Sequence, residues 1–358
     1  MNRIEYLDVL KGFSIFLVVF CHHPLLSKDT LLGNIIMATA WGAVPCFIMV
    51  TGALMHAKKT ISWSNYYKQI FRTYVVLLSW KVIYLFIYSK INTLAFTTQD
   101  LISYLFFFGS IKGVGSSVMW YMYAYLSIML FYPVSFFLFR NNGRIILRHI
   151  LYVLFVCVFL LNSVNVFLIF MEKQGIANKI RFSMKPVNPF GDYSNILFFF
   201  ILGAFLFEHK DSIDCFIRKN VYTKCLPWFF IIIGISGIIF IKWIESGTFY
   251  WGGIYLKNGY QRLPTVLLAI GMYVVFMLCP SNKNTARIAK YLGQNTMGIY
   301  YMHFIMTALV SSKLKSVFSP YMSYSVLLNT ARTILIIGIA VLITMLLKKV
   351  PYLQALVK

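Results

Sequence analysis

The sequence predicts an all-α protein, a polytopic bundle of about ten transmembrane helices, and three observations carry that expectation. Of the 358 residues, 59% are hydrophobic and only 12% charged, whereas a soluble domain carries about a quarter charged residues. Separate apolar runs repeatedly reach the roughly 17 to 25 residues that a helix needs to cross a bilayer. None of them shows the short alternating segments of a transmembrane barrel.

Taken in order, the spans are predicted near residues 9–26, 33–55, 72–89, 118–139, 146–169, 194–207, 226–244, 263–279, 295–311 and 325–347. Each is bounded by charged or turn-rich breaks. The first follows Asp8 and ends ahead of Lys28, and the second stops at Lys58 and Lys59. The third lies between Arg72 and Lys90, the fourth ends at Arg140, and the fifth follows Arg144 and ends before Lys173. The sixth stops before Lys210, the seventh starts after Lys224, and the eighth ends ahead of Lys283. The ninth follows Lys290, and the tenth ends at Lys348 and Lys349. The stretch 101–109 is too short to cross alone and is expected to be interfacial or re-entrant. The connection over about residues 170–193, with Gly175, Pro186, Pro189 and Gly191, is either a lid or a plain connector.

The net charge of +23 arises from 33 Lys and Arg against 10 acids. In a soluble chain it would point to nucleic acid, but in this one basic residues gather at helix ends and short loops, where they set topology and meet anionic lipid. Lipid is therefore the expected partner, and nucleic acid is not. More than half of the Lys and Arg fall in one set of alternate loops, which places both termini in the cytosol. The six cysteines are scattered, with no C-x-x-C and no metal-like spacing, so no metal site is predicted. The first run lacks a small-x-small cleavage pattern and is expected to stay as a span. With no repeat or low-complexity tract, residues 1–358 are predicted to form one membrane-embedded domain without an appended soluble one.

The first span carries groups that a membrane segment normally excludes: Asp8, Lys11, His22 and His23. Eleven residues of α-helix rise about 16.5 Å and turn through about 1100°, three turns and a little more, so Lys11 and His22 share a face. Asp8, three residues before Lys11, is within ion-pair reach. Such groups inside a span are costly and mark functional candidates. The alternative is that Lys11 snorkels at a helix start while the histidines mark the far boundary before Pro24.

The segment "RIEYLDVLKGFSIFLVVFCHH" resembles the first span of the acyltransferase 3 family of integral membrane acyltransferases, in which a basic residue and a His are separated by ten positions. Lys11 and His22 keep that spacing, with Lys where the family usually has Arg. Four further segments resemble the family in the same order: "VPCFIMVTGALM" (44–55), "YYKQIFRTYVVLL" (66–78), "MWYMYAYLSIMLFYP" (119–133) and "LGQNTMGIYYMHF" (292–304). The resemblance implies transfer of an acyl group, typically acetyl from acetyl-CoA on the cytosolic side, to a cell-surface glycan or its lipid-linked precursor, in a bacterial cytoplasmic membrane. It implies acyl-CoA as a substrate, with no bound cofactor.

On that reading His22 is the leading catalytic candidate and His303 the second, on a stripe with Thr296 and Thr307. Lys68 and Arg72 would supply a basic mouth for the CoA phosphates, Asp8 would hold Lys11, and His23 would support. Lys is a point charge without the bidentate fork of Arg, so Lys11 keeps the charge of the family position and loses the clamp. The extra outer domain of longer members is not evident, which implies completion of the reaction in the membrane domain or with a biosynthetic partner protein. Two other classes fit the same composition: a transporter or flippase of a glycan or small molecule, and a non-catalytic scaffold. Against the transporter, no paired Gly/Pro-broken spans or inverted repeat are evident.

Overall fold

The computed structural model describes residues 4–22, 31–107, 109–176, 178–183, 190–246, 259–278, 283–318 and 326–357. Over the described residues, each of the ten apolar runs is built of helix. The first is α1 (Glu5–Cys21), and the second is divided at Trp41 and Gly42 into α2 (Leu31–Ala40) and α3 (Ala43–His56). Next come α4 (Trp63–Ile91), the short α5 (Thr98–Phe106) and α6 (Trp120–Arg140). The fifth run is α7 (Arg144–Leu154), a π-helical stretch (Phe155–Leu160) and α8 (Leu161–Lys173). The second half comprises α9 (Ser194–Glu208), α10 (Lys210–Arg218), α11 (Val221–Ser246), α12 (Leu263–Leu278), α13 (Lys283–Gln294), α14 (Thr296–Phe318) and α15 (Val326–Lys349). Six of the runs are long and apolar enough to cross a membrane unaided, and α9, α12 and the first part of α14 are shorter apolar helices. The chain is a polytopic helical membrane protein, and no strand occurs among the described residues.

Side-chain links show which helix ends lie together. At the end where α1 begins, Lys210 lies over the Tyr6 ring, Arg140 donates to the His56 carbonyl, and Lys348 donates to Asn295 at 2.7 Å. At the opposite end, Tyr260 lies between Trp41 and Trp120, with ring centroids 4.7 and 5.4 Å away. The long helices therefore alternate in direction.

Lipid offers no hydrophobic drive for helix association, so close packing and small residues take its place. The central pair, α3 and α9, shows this. A Cβ on Gly52 would fall 1.9 Å from the Phe200 carbonyl oxygen, and one on Gly203 would fall 2.1 Å from that of Met49. The amphipathic α13 is laid across α1 in the same way, through Gly12 against Ala289 and Gly293 against Asp8.

The stretch predicted to be interfacial or re-entrant is α5. It is capped by a reciprocal Thr97–Asp100 box, in which the backbone N–H and hydroxyl of Thr97 hold the Asp100 carboxyl below its ordinary range. Lys81, buried inside α4, donates to the Tyr104 carbonyl at 2.6 Å and lies near the Tyr104 and Tyr123 rings. An internal lysine thus pins the short helix to the bundle. Part of the connection near 170–193 is also pinned, because Asn165 of α8 both donates to and accepts from the backbone of Phe182, each at 2.8 Å. Residues 184–189 lie outside the described residues.

Candidate active site

The first span ends where its chemistry begins. Leaving the helix, α1 turns extended at His22, whose φ of −79° and ψ of 116° place it at the C-cap. The last carbonyls of a helix have no partner within it, and side chains supply them. His22 Nδ1 lies 2.6 Å from the Val18 carbonyl oxygen, Cys21 Sγ donates to the same oxygen at 3.2 Å, and Arg332 Nη2 donates to the His22 carbonyl at 2.7 Å. A carbonyl only accepts, so His22 Nδ1 carries a hydrogen, which in the neutral ring leaves the lone pair on Nε2.

His303 repeats this arrangement on α14. It is fully buried, and its Nδ1 lies 2.5 Å from the Tyr300 carbonyl oxygen, which again assigns the lone pair to Nε2. The two imidazoles meet edge to face with centroids 5.0 Å apart, and Phe304 packs on His22 at 5.8 Å. Tyr300, His303, Phe304 and Thr307 follow the i, i+3, i+4, i+7 rule of one helix face.

That face is held in place from two sides. On α4, Tyr84 donates to the Tyr301 carbonyl at 2.8 Å, and Trp80 stacks on the Tyr301 ring. The Tyr300 hydroxyl donates to the Val118 carbonyl ahead of α6. The segment that carries Val118 packs so closely on Tyr88 and Phe304 that a Cβ on Gly115 would fall 2.4 Å from the Tyr88 hydroxyl and 2.7 Å from the Phe304 ring.

Several polar atoms here are buried without a hydrogen-bond partner among the described residues: His303 Nε2, Thr307 Oγ1 and the hydroxyls of Tyr88 and Tyr301. About nine in ten buried polar groups in proteins are satisfied. Orphans gathered on and around one helix face, beside a second imidazole, are what a substrate's polar atoms would complete.

The remaining candidates divide. Asp8 and Lys11 form an ion pair at 2.9 Å near the start of α1, with Asp8 buried and the Lys11 side chain 21% exposed. Lys68 and Arg72 are exposed on α4. Arg72 precedes Tyr84 by 12 positions, so it lies about 18 Å along α4 from the tyrosine that holds the Tyr301 carbonyl. Thr296, expected on the His303 stripe, returns its hydroxyl to the Leu292 and Gly293 carbonyls at the α13–α14 junction. His23 lies outside the described residues. No three His, Cys, Asp or Glu side chains converge among the described residues.

Sequence reasoning passed over Arg332, Tyr88 and Lys81. For Arg332 the available signal was a lone cation inside an apolar run. For Tyr88 there was none, since one tyrosine among 24 has no distinguishing spacing.

Fold and site together define a helical membrane protein in which two imidazoles from different spans face each other. The acyltransferase 3 family, described as an acyltransferase domain, matches residues 4–349, and the chain belongs to that family as a membrane acyltransferase. Neither the curated proteins nor the solved structures compared with the chain gave a match.

Proposed function

We propose that this acyltransferase moves an acyl group, most simply acetyl, from cytosolic acyl-CoA to a hydroxyl of a cell-surface polysaccharide or its lipid-linked precursor. The observation that supports it best is the imidazole pair, edge to face at 5.0 Å, with His303 Nε2 buried and without a partner among the described residues. The acceptor hydroxyl attacks the thioester carbonyl while an imidazole Nε2 takes its proton. The tetrahedral adduct then collapses with cleavage of the C–S bond, and the imidazolium returns the proton to the departing thiolate. The products are an ester and the free CoA thiol. We assign the base to His22, the less buried of the two, and give His303 the task of binding the acceptor or the carbonyl.

The basic residues at the α1-starting end support a cytosolic position for that end, in a bacterial cytoplasmic membrane with both termini inside. There Lys11, Lys68 and Arg72 are the cations available to donor phosphates.

The test is transfer of labelled acetyl from acetyl-CoA to a surface-glycan extract by the purified protein in nanodiscs. Label on glycan with wild type, lost in His22→Ala, supports the proposal. A folded wild-type protein that turns over no thioester with any glycan offered would sink it.

A further inference from the structure

Arg332 is a buried charge that this mechanism leaves without a role. It lies six residues into α15, about 9 Å along the helix from its start, and is 2% exposed. A guanidinium inside a span is costly and is retained where it has work to do. It belongs to a buried polar face: Asn329, Arg332, Thr333 and Ile336 keep helical spacing, and none is more than 2% exposed.

That face meets the end of α1. The guanidinium donates through Nη2 to the His22 carbonyl at 2.7 Å, at the point where α1 leaves helical geometry. A cation is favoured at a helix C-terminus, where unsatisfied carbonyls gather partial negative charge. His22 is thereby tied at two points, its ring to Val18 within α1 and its backbone to Arg332 on another span. His303 stands on α14, which packs against α15, so one neighbouring helix sets the relation between the two imidazoles.

We infer that Arg332 is a positioning residue for acyl transfer: it clamps the backbone of His22 so that the imidazole stays against His303. The inference rests on the proposed acyl-transfer reading, in which misplacement of a reacting group by about 1 Å can cost about a hundredfold in rate.

The experiment uses the full chain in nanodiscs and acetyl-CoA turnover, comparing wild type with Arg332→Ala, Arg332→Lys and Arg332→Gln. A clamp predicts that Arg332→Ala loses a hundredfold or so in kcat while KM for acetyl-CoA stays within about threefold. Arg332→Lys, which still offers a charged donor to the carbonyl, should recover most of that loss. Added guanidinium ion should raise the rate of Arg332→Ala and leave His22→Ala unmoved. A kcat within threefold of wild type in Arg332→Ala, or a loss confined to KM, overturns the clamp.

Should Arg332→Ala fail to fold, folded Arg332→Lys and Arg332→Gln decide the matter. High activity in the first and low kcat in the second supports the clamp, and equal activity in the two overturns it. A second readout needs no turnover: carbethoxylation of His22, followed by mass spectrometry, should accelerate in the Arg332 variants while that of buried His56 does not. If wild type turns over no thioester, the acyl-transfer proposal fails, and this labelling still tests the clamp. An unchanged His22 rate overturns it.

Discussion

His56 and His303 are both buried in spans, both turn Nδ1 onto a carbonyl of their own helix, and both sit among aromatic rings, yet their second nitrogens have opposite fates. His56 Nδ1 meets the Gly52 carbonyl at 2.9 Å, and its Nε2 lies 3.1 Å from the Ser135 hydroxyl of α6. Its own carbonyl receives Arg140. His303 has the first of these contacts, but its Nε2 has no partner among the described residues, and the nearest polar ring belongs to His22. One histidine is a finished strut between α3 and α6. The other is half a hydrogen-bonding group waiting for the rest. A histidine in a membrane bundle is therefore sorted by whether its second nitrogen is satisfied, because burial and aromatic neighbours are common to both.

The largest effect should separate the two outright. His22→Ala and His303→Ala remove groups expected to touch the reacting atoms, and loss of a general base or its partner costs about 10² to 10⁴ in rate. Labelled acetyl transfer per folded molecule should fall by that factor. Preserved transfer in both variants would erase the distinction and move the chemistry elsewhere in the bundle.

His56→Ala should show the reverse. It removes a satisfied buried group that joins two spans, and such losses cost about 1 to 3 kcal/mol of stability. Turnover per folded molecule should remain within about twofold of wild type, while the thermal melt in detergent falls. A folded His56→Ala protein with turnover reduced a hundredfold would show that the strut takes part in the reaction.

How much of this contrast could be seen beforehand follows from the distances involved. The spans were legible because bilayer thickness imposes a local rule, about 20 apolar residues in succession, which "SIFLVVF" or "NILFFFILGAFLF" satisfies without reference to anything else in the chain. The Asp8–Lys11 pair was legible for the same reason, being three residues apart on one helix. The break between α2 and α3 was not, since Trp41 and Gly42 sit in an unbroken apolar run and part the helices only through tertiary packing, Gly42 against Met272 and Leu268. The meeting of His22 with His303, and of Arg332 with the His22 carbonyl, joins α1 to α14 and α15 across nearly the whole chain, and local periodicity contains no term for that. Lys68 and Arg72 stand exposed where the sequence put them, and no contact ties them to the histidines.

Ser135→Ala gives a finer measure of the strut. It takes away the hydroxyl that donates to His56 Nε2 when Nδ1 carries the ring hydrogen, the Tyr132 carbonyl at 2.9 Å being its alternative acceptor, and leaves the imidazole with the unsatisfied nitrogen that His303 already has. A neutral hydrogen bond of this kind contributes about 0.5 to 1.5 kcal/mol. The melt should drop by less than in His56→Ala and the double variant should show little further loss, since both changes break one contact. Full additivity would mean that the two side chains do not act together.

The smallest effect, and the one that tests the orphan side of the contrast, is Thr307→Val. Thr307 Oγ1 is buried one turn beyond His303 without a partner among the described residues. Val fills the same space with a methyl, and an unsatisfied buried hydroxyl costs about 1 to 3 kcal/mol on mutational scales. If the hydroxyl is held in place for a substrate, its removal should raise the melting temperature of the empty protein slightly. Turnover should fall by about three- to tenfold, the worth of one neutral hydrogen bond to substrate. Stability and function then move in opposite directions at a single residue, which a strut cannot do: at His56 and Ser135, whatever weakens the contact weakens the fold and leaves the rate alone. A Thr307→Val protein that melts lower than wild type would place Thr307 on the strut side and narrow the reactive face to the two imidazoles.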